Sequence, residues 1–387
     1  MSSDYSKYFD YNATTPMRET ALRVWQEMAA KHWQNPSSLY REAAETKHQL
    51  DYYREELADV LDIDEPDRIV FTSGATEANN AVIRFLAENT EGKIAISAIE
   101  HPCVTAPFDA FVSPERQIRT PVDANTGAVS VEDVSRLLSE NEVAAVSVMA
   151  ANNETGVIQP WEELAELCTS NGVLLHTDAA QWIGKLSSEN LGKCDFLTGS
   201  GHKFGGGKGV GFLVLPDSEI ADKFHMAIGG PQEEGKRAGT ENLPAIAAMV
   251  EALAEVEEHL TEEFCSTHTA NRDNFESQCE ESLGIDVIGK EADRLWNTSM
   301  IVLPHTKNLK WLTRLSHLGF SVSTGSACSA GKGNPSEVMQ AMGLDFEEMG
   351  RVLRISGGWD TSAGDWKELA RALTAVEADL DASVSRD

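Results

Sequence analysis

Between residues 68 and 216 the chain alternates short apolar runs with helical patterns. This alternation restricts it to an α/β fold with a mainly parallel sheet and helices on both faces. Strands are expected at 68–72, 93–97, 143–149, 173–177, 195–198 and 209–215, with helices such as 75–88 and 131–138 between them. Apolar runs this short, bounded by polar turns, suit strands buried on both faces. Two of them end on reactive side chains: Val173-Leu174-Leu175-His176-Thr177 leads into Asp178, and Thr198-Gly199-Ser200-Gly201-His202 into Lys203. Open α/β sheets bind ligands beyond the carboxyl ends of their strands. An acid and an amine placed there would share one crevice.

At 387 residues the chain exceeds what one core usually holds, so two domains are expected. The character changes near Glu241. Leu243, Ile246, Ala247, Val250, Leu253, Val256 and Leu260 keep helical spacing, and a polar helical stretch runs on towards Ser282. A helix this long would bridge domains, with the boundary near 250–265. Beyond it come a strand near 299–303, a helix near 308–318, a strand at 352–356 and a final helix. That last helix carries Trp366, Leu369, Leu373, Val376 and Leu380 on one stripe, and Ser362 with Asp365 is placed to cap it. These elements make a smaller α/β unit.

Thirty-two basic residues stand against 62 acidic ones, a formal charge of −30. A surface this acidic repels nucleic acid and anionic membrane, so neither is an expected partner. No run approaches the ~18 consecutive apolar residues of a membrane span. Met1-Ser2-Ser3-Asp4-Tyr5 lacks the basic and apolar regions of a secretion signal. Six cysteines, at 103, 168, 194, 265, 279 and 328, form no C-x-x-C pair. They point to reduced cytoplasmic thiols rather than to disulfides or a metal site.

A lysine with an acid suits pyridoxal phosphate (PLP): the amine forms a Schiff base, and the acid partners the pyridinium nitrogen. In Thr72-Ser73-Gly74-Ala75-Thr76-Glu77, small residues between a strand and a helix let helix N-terminal amides face an anion such as phosphate. Gly205-Gly206-Gly207-Lys208-Gly209 is not a nucleotide loop, because no Ser or Thr follows Lys208 and a strand comes next rather than a helix. Far downstream, Ser323-Thr324-Gly325-Ser326-Ala327-Cys328 puts a thiol in a loop of small residues. PLP with a loop cysteine suggests sulfur chemistry.

Eight motifs stand in one order: Asp10-Tyr11-Asn12-Ala13-Thr14-Thr15-Pro16, Asn35-Pro36-Ser37-Ser38, Ser73-Gly74-Ala75-Thr76-Glu77, Asn152-Asn153-Glu154-Thr155-Gly156, Asp178-Ala179-Ala180-Gln181, Ser200-Gly201-His202-Lys203, Arg237-Ala238-Gly239-Thr240-Glu241-Asn242 and Gly325-Ser326-Ala327-Cys328. With them, from about residue 8 to 360, the chain resembles the class I cysteine desulfurases. These are the NifS/IscS-like branch of the class V aminotransferase superfamily of fold-type I PLP enzymes. The resemblance implies a large domain, 16–255, with a mainly parallel seven-stranded sheet. A smaller α/β domain would be formed by 1–15 and 256–387 and carry the cysteine loop. It implies a homodimer that converts L-cysteine to L-alanine, leaves sulfur on Cys328 as a persulfide, and feeds a sulfur-acceptor or scaffold protein for iron–sulfur clusters or thio-cofactors. No metal is implied.

The same resemblance assigns roles. Lys203 matches the Schiff-base lysine and proton shuttle, Asp178 the acid at the ring nitrogen, and His101 the ring-stacking histidine. Gln181 and Asn153 match contacts to the ring hydroxyl, Asn153 also lying near the substrate carboxylate. Ala75, Thr76, Ser200 and His202 match the phosphate cup, with Thr240 reaching in from the other subunit. Arg354 fits the substrate carboxylate, for which the planar guanidinium is suited. The other five cysteines are expected to be structural or incidental.

Three departures stand out. Gln34 replaces a usual glycine, Glu234 a usual arginine, and Gly357-Gly358-Trp359-Asp360 an unlike continuation after Arg354. Rival expectations are a selenocysteine lyase or other PLP β-lyase, an aminotransferase, and a catalytically silent partner-binding scaffold.

Overall fold

A computed structural model describes residues 5–216, 218–325 and 336–384. Its larger sheet has seven strands: β1 (Ile69–Thr72), β2 (Lys93–Ser97), β3 (Gln117–Thr120), β4 (Val143–Ser147), β5 (Leu174–Asp178), β6 (Phe196–Ser200) and β7 (Gly211–Val214). They lie in the order β1-β7-β6-β5-β4-β2-β3. Only β7 runs against its neighbours, pairing antiparallel with β1 and β6, while the other pairs are parallel. The six expected strands are present to within a few residues. β3 was not legible. It is an edge strand bonded only to β2, its sequence Gln-Ile-Arg-Thr offers one apolar residue, and only Thr120 is buried.

Both faces of the sheet are covered. On one lie Trp161, Leu164, Ile246, Met249 and Leu253, and on the other Val82, Leu86, Val104, Phe108 and Phe224. The long helix expected from Leu243 onwards is two helices, Leu243–His259 and Glu262–Leu283. Thr261 ends the continuity. Its backbone is extended and its hydroxyl accepts the amide of Phe264 at 3.1 Å, the N-cap of a new helix.

A second, antiparallel sheet contains β8 (Asp286–Val287), β9 (Thr298–Val302) and β10 (Val352–Ser356), in the order β10-β9-β8. Helices Glu262–Leu283, Asn308–His317 and Ala363–Val384 enclose a core of Phe275, Trp311, Leu353, Trp366 and Leu373 with it. Ser362 and Asp365 exchange hydrogen bonds at the start of the last helix, as their spacing predicts. The N-terminal segment lies against this unit: Tyr11 donates its amide to Ser356 O at 3.1 Å, and Ser356 donates to Phe9 O at 2.9 Å.

Two departures from the family pattern are accommodated locally. A Cβ on Gly358 would fall 2.1 Å from the Tyr11 ring, so only glycine lets that tyrosine pack, and Trp359 meets the same ring edge-on. Glu234 forms an ion pair with Lys236.

One close approach sets the position of the strand–helix turn after β1. A Cβ on Gly211 would sit 2.5 Å from Gly199 O and 2.6 Å from Gly74 Cα, both backbone. Gly211→Ala is therefore expected to destabilise the protein by about 1–3 kcal/mol and to weaken anion binding at Gly74. A chemical-denaturation curve unchanged from wild type would refute this.

Candidate active site

Asp178 ends β5 and Lys203 closes a short turn after β6. The two strands are parallel neighbours, with Asp178 paired to Thr198 in register. Both side chains line one cavity of about 540 Å³, together with Ala75, Thr76, His101, Asn153, Gln181, Ser200, His202 and Arg354. Ten predicted site residues thus come to one place. Thr240 does not; it is exposed on a loop outside the cavity lining. Cys328 lies outside the described residues.

One end of the cavity is built for an anion. Gly74 is the N-cap of helix Ala75–Asn89 but has no side chain to accept a hydrogen bond, so first-turn amides are left to bind something else. Its φ of +147° is one that residues with a Cβ rarely adopt. His202 stands beside this end. Burial, then the charges of Lys203, Lys208 and Lys185, lower its pKa to about 4, so the ring is neutral and Nδ1 meets Thr14 Oγ1 at 3.1 Å.

At the other end a buried network fixes Asp178, which is 5% exposed. Its Oδ1 accepts the amide of Ala180 at 3.0 Å and its Oδ2 accepts Asn79 Nδ2 at 2.7 Å. Asn79 Oδ1 in turn meets His176 Nε2 at 3.0 Å and Thr198 Oγ1 at 2.6 Å. His176 is fully enclosed, and burial lowers its pKa to about 4. Its Nε2 therefore carries the proton given to Asn79, and Nδ1 accepts from Ser147. This relay fixes the carboxylate at the cavity wall.

His101 is the N-cap of helix Pro102–Phe111, and its Nδ1 accepts the Cys103 amide at 3.1 Å. A ring nitrogen that accepts cannot hold the proton, so the neutral ring carries it on Nε2. Burial lowers the pKa of this histidine, as does the Lys203 charge, while Asp178 opposes. Cys103, expected to be structural or incidental, lines the cavity, with Sγ 2.9 Å from His101 Nδ1 and 3.7 Å from Asp178 Oδ2. Its place two residues after His101, in His101-Pro102-Cys103, was the available signal. Burial pushes its thiol pKa far up, which disfavours the thiolate.

Lys203 is poised as an amine. Burial, then the charge of Arg354, lowers its pKa to about 8, against the pull of Asp178 and Asp10. Its Nζ rests on the carbonyls of Asn12 (2.6 Å) and Ala13 (3.0 Å). Arg354, 3% exposed, bonds Asp10 Oδ1 at 2.6 Å and Asn153 O at 3.1 Å, yet its Nε–H has no partner. A buried guanidinium with a spare donor suits a carboxylate ligand.

Two roots of the cysteine loop are visible. Ser336 donates to Glu154 Oε2 at 2.7 Å, and a Cβ on Gly325 would lie 3.2 Å from the same atom. Among the described residues no cluster of His, Cys, Asp and Glu could hold a metal. An anion cradle, a fixed carboxylate, a buried amine and a neutral histidine in one cavity fit PLP.

Comparison with known proteins agrees. The aminotransferase class-V family matches residues 7–369. The chain is 34% identical over 366 residues to the cysteine desulfurase IscS of Dictyoglomus turgidum, covering 92% of this chain and 91% of that protein. It is 32% identical over 406 residues to the selenocysteine lyase of Xenopus tropicalis, covering 95% and 92%. The X-ray structure of a NifS-like protein from Rickettsia africae superposes with a TM-score of 0.85 at 29% identity, covering 96% of this chain and 99% of that one.

Proposed function

The chain belongs to the aminotransferase class-V family and is a PLP-dependent cysteine desulfurase, and we propose that Lys203, Asp178, His101, Arg354 and Cys328 divide its work. The observation that carries this division is the convergence of Asp178 and Lys203, from adjacent strand ends, on one cavity with an anion cradle. The amides of Ala75 and Thr76, with Ser200 and His202, would hold the phosphate of PLP. Asp178 would keep its ring nitrogen protonated, Gln181 and Asn153 would reach its ring hydroxyl, and His101 would stack on it. When bound, PLP supplies an electron sink for negative charge at the substrate Cα.

Each protein group then has one task. Arg354 would orient the substrate carboxylate through its unpartnered Nε–H. Lys203 Nζ, neutral for a substantial fraction near pH 8, moves the proton at Cα. His101, neutral with its proton on Nε2, would offer a hydrogen bond to the reacting groups. The Cys328 thiolate attacks the substrate sulfur, the carbon–sulfur bond breaks, and its electron pair takes up a proton at Cβ. L-Alanine leaves, and Cys328 keeps the sulfur as a persulfide for an acceptor protein in iron–sulfur cluster or thio-cofactor synthesis.

The division into a large domain (16–255) and a small one (1–15 with 256–387) is part of this reading, with the break between helices Leu243–His259 and Glu262–Leu283 in its support. A homodimer is supported by exposed Trp33, Leu39 and Ile228. The loops near them are joined by Gln232, which bonds Ser37 and Gly239. Thr240, exposed beside them, would complete the partner's phosphate site. A cytoplasmic setting is supported by five described cysteines that are all free. No helix among the described residues is long and apolar enough to cross a membrane.

Cys328→Ala separates this reading from a selenocysteine lyase, the activity named for the frog relative. The variant is expected to keep its bound PLP and to lose alanine formation from L-cysteine by about 10³-fold or more. Wild-type turnover in that variant, measured as alanine by mass spectrometry, would favour a lyase that needs no thiol acceptor.

A further inference from the structure

Lys185 is the least expected charge in the molecule. It is 3% exposed, and its Nζ contacts only Gln181, at 2.9 Å to Oε1 and 3.2 Å to the carbonyl. It forms no ion pair with any described carboxylate, and the charges that bear on it, Lys203 and Arg354, are both positive. Its carbonyl is held by Trp296 Nε1 at 2.6 Å, which pins the turn that carries it. A buried ammonium without a counter-ion costs stability. An apolar side chain of the same length would fill this space at less cost, so packing does not account for a lysine here.

Its two contacts settle the orientation of Gln181. An ammonium group can only donate, so the atom facing it is the amide oxygen. A carbonyl can only accept, so the atom facing Asn12 O, at 2.9 Å, is the amide nitrogen. That nitrogen has a second hydrogen, and Gln181 lines the cavity. We propose that Lys185 is a positioning residue for the cofactor site: it locks the Gln181 amide with its nitrogen towards the cavity, presenting an N–H to the hydroxyl oxygen of the PLP ring. The proposal rests on the reading that this cavity holds PLP. Burial, followed by Lys203 and Arg354, lowers the Lys185 pKa to about 7, so the ammonium and amine forms are both accessible near neutrality, and either can donate to Gln181.

Lys185→Met tests it, with Gln181→Leu and the double variant beside it. Removing the buried charge is expected to raise the melting temperature of the apoenzyme. At the same time PLP affinity falls about tenfold, and the pH midpoint of the bound cofactor's visible absorbance rises by about one unit, because the ionised ring oxygen has lost its support. A lysine with a purely structural role would lower stability and leave that midpoint alone. Since Lys185 acts through Gln181, Lys185→Met should add little to the midpoint shift of Gln181→Leu. Wild-type affinity and midpoint in Lys185→Met overturn the proposal, as do additive shifts in the double variant. If Lys185→Met fails to fold, an unchanged midpoint in Gln181→Leu overturns it instead. Wild-type protein that takes up no PLP overturns the cofactor reading together with the proposal.

Discussion

Lys203→Ala is expected to lower L-cysteine turnover by about 10⁴-fold or more while leaving a folded protein that still binds PLP. The magnitude follows from two duties on one nitrogen: it attaches the cofactor and it moves the proton at the substrate Cα. Folding should survive because Lys203 Nζ makes only two hydrogen bonds, to Asn12 O and Ala13 O, and is held at a cost. Burial and Arg354 lower its pKa to about 8, so the folded state holds this proton more weakly than an unfolded chain does. The stability contribution is therefore present above the ordinary lysine pKa and is lost as pH falls through about 8. The same titration predicts that wild-type apoenzyme captures PLP faster as pH rises through about 8, as the neutral amine accumulates. A capture rate flat from pH 7 to 9, or turnover in Lys203→Ala within tenfold of wild type, would remove Lys203 from its assigned place.

Asp178→Asn should have the second largest effect, a fall in kcat of about 10³-fold with KM changed little. The substitution preserves shape and removes charge. Asp178 Oδ1 would go on accepting the Ala180 amide, but Oδ2 would become an N–H₂ facing the N–H₂ of Asn79. Asn79 cannot turn to help, because its Oδ1 is already bound by His176 and Thr198. The amide is therefore forced either into a donor–donor clash or into a flip that breaks the Ala180 bond. Without a carboxylate, nothing in the network keeps the ring nitrogen protonated. The check is kinetic and spectral together: a kcat loss with unchanged PLP absorbance, or an unchanged kcat, would contradict the role given to Asp178.

What the sequence made legible follows from burial. β1, β2 and β4–β7 are apolar on both sides because helices cover both sheet faces, so their residues announce them. β3 sits at the edge, where one neighbour and solvent ask little of Gln117 or Arg119. The helix break at Thr261 was a local capping event inside a longer periodic pattern, and periodicity does not register it. The cavity wall was recoverable because its residues cluster at strand ends and in recognisable motifs. The second layer was not. Asn79, His176 and Lys185 are polar residues buried in helix, strand and turn, and neither spacing nor composition distinguishes them from exposed ones. Their significance appears only with their partners: Asn79 with Asp178, His176 with Asn79, Lys185 with Gln181.

The central claim is that Lys203, opposite Asp178, carries the cofactor, although Lys208 lines the same cavity and Lys185 lies behind its wall. Borohydride reduction of the PLP-loaded protein, followed by peptide mass spectrometry, distinguishes the three. The account predicts one pyridoxyl group per chain, on Lys203. A pyridoxyl group on Lys208 or Lys185, with Lys203 unmodified, would contradict it.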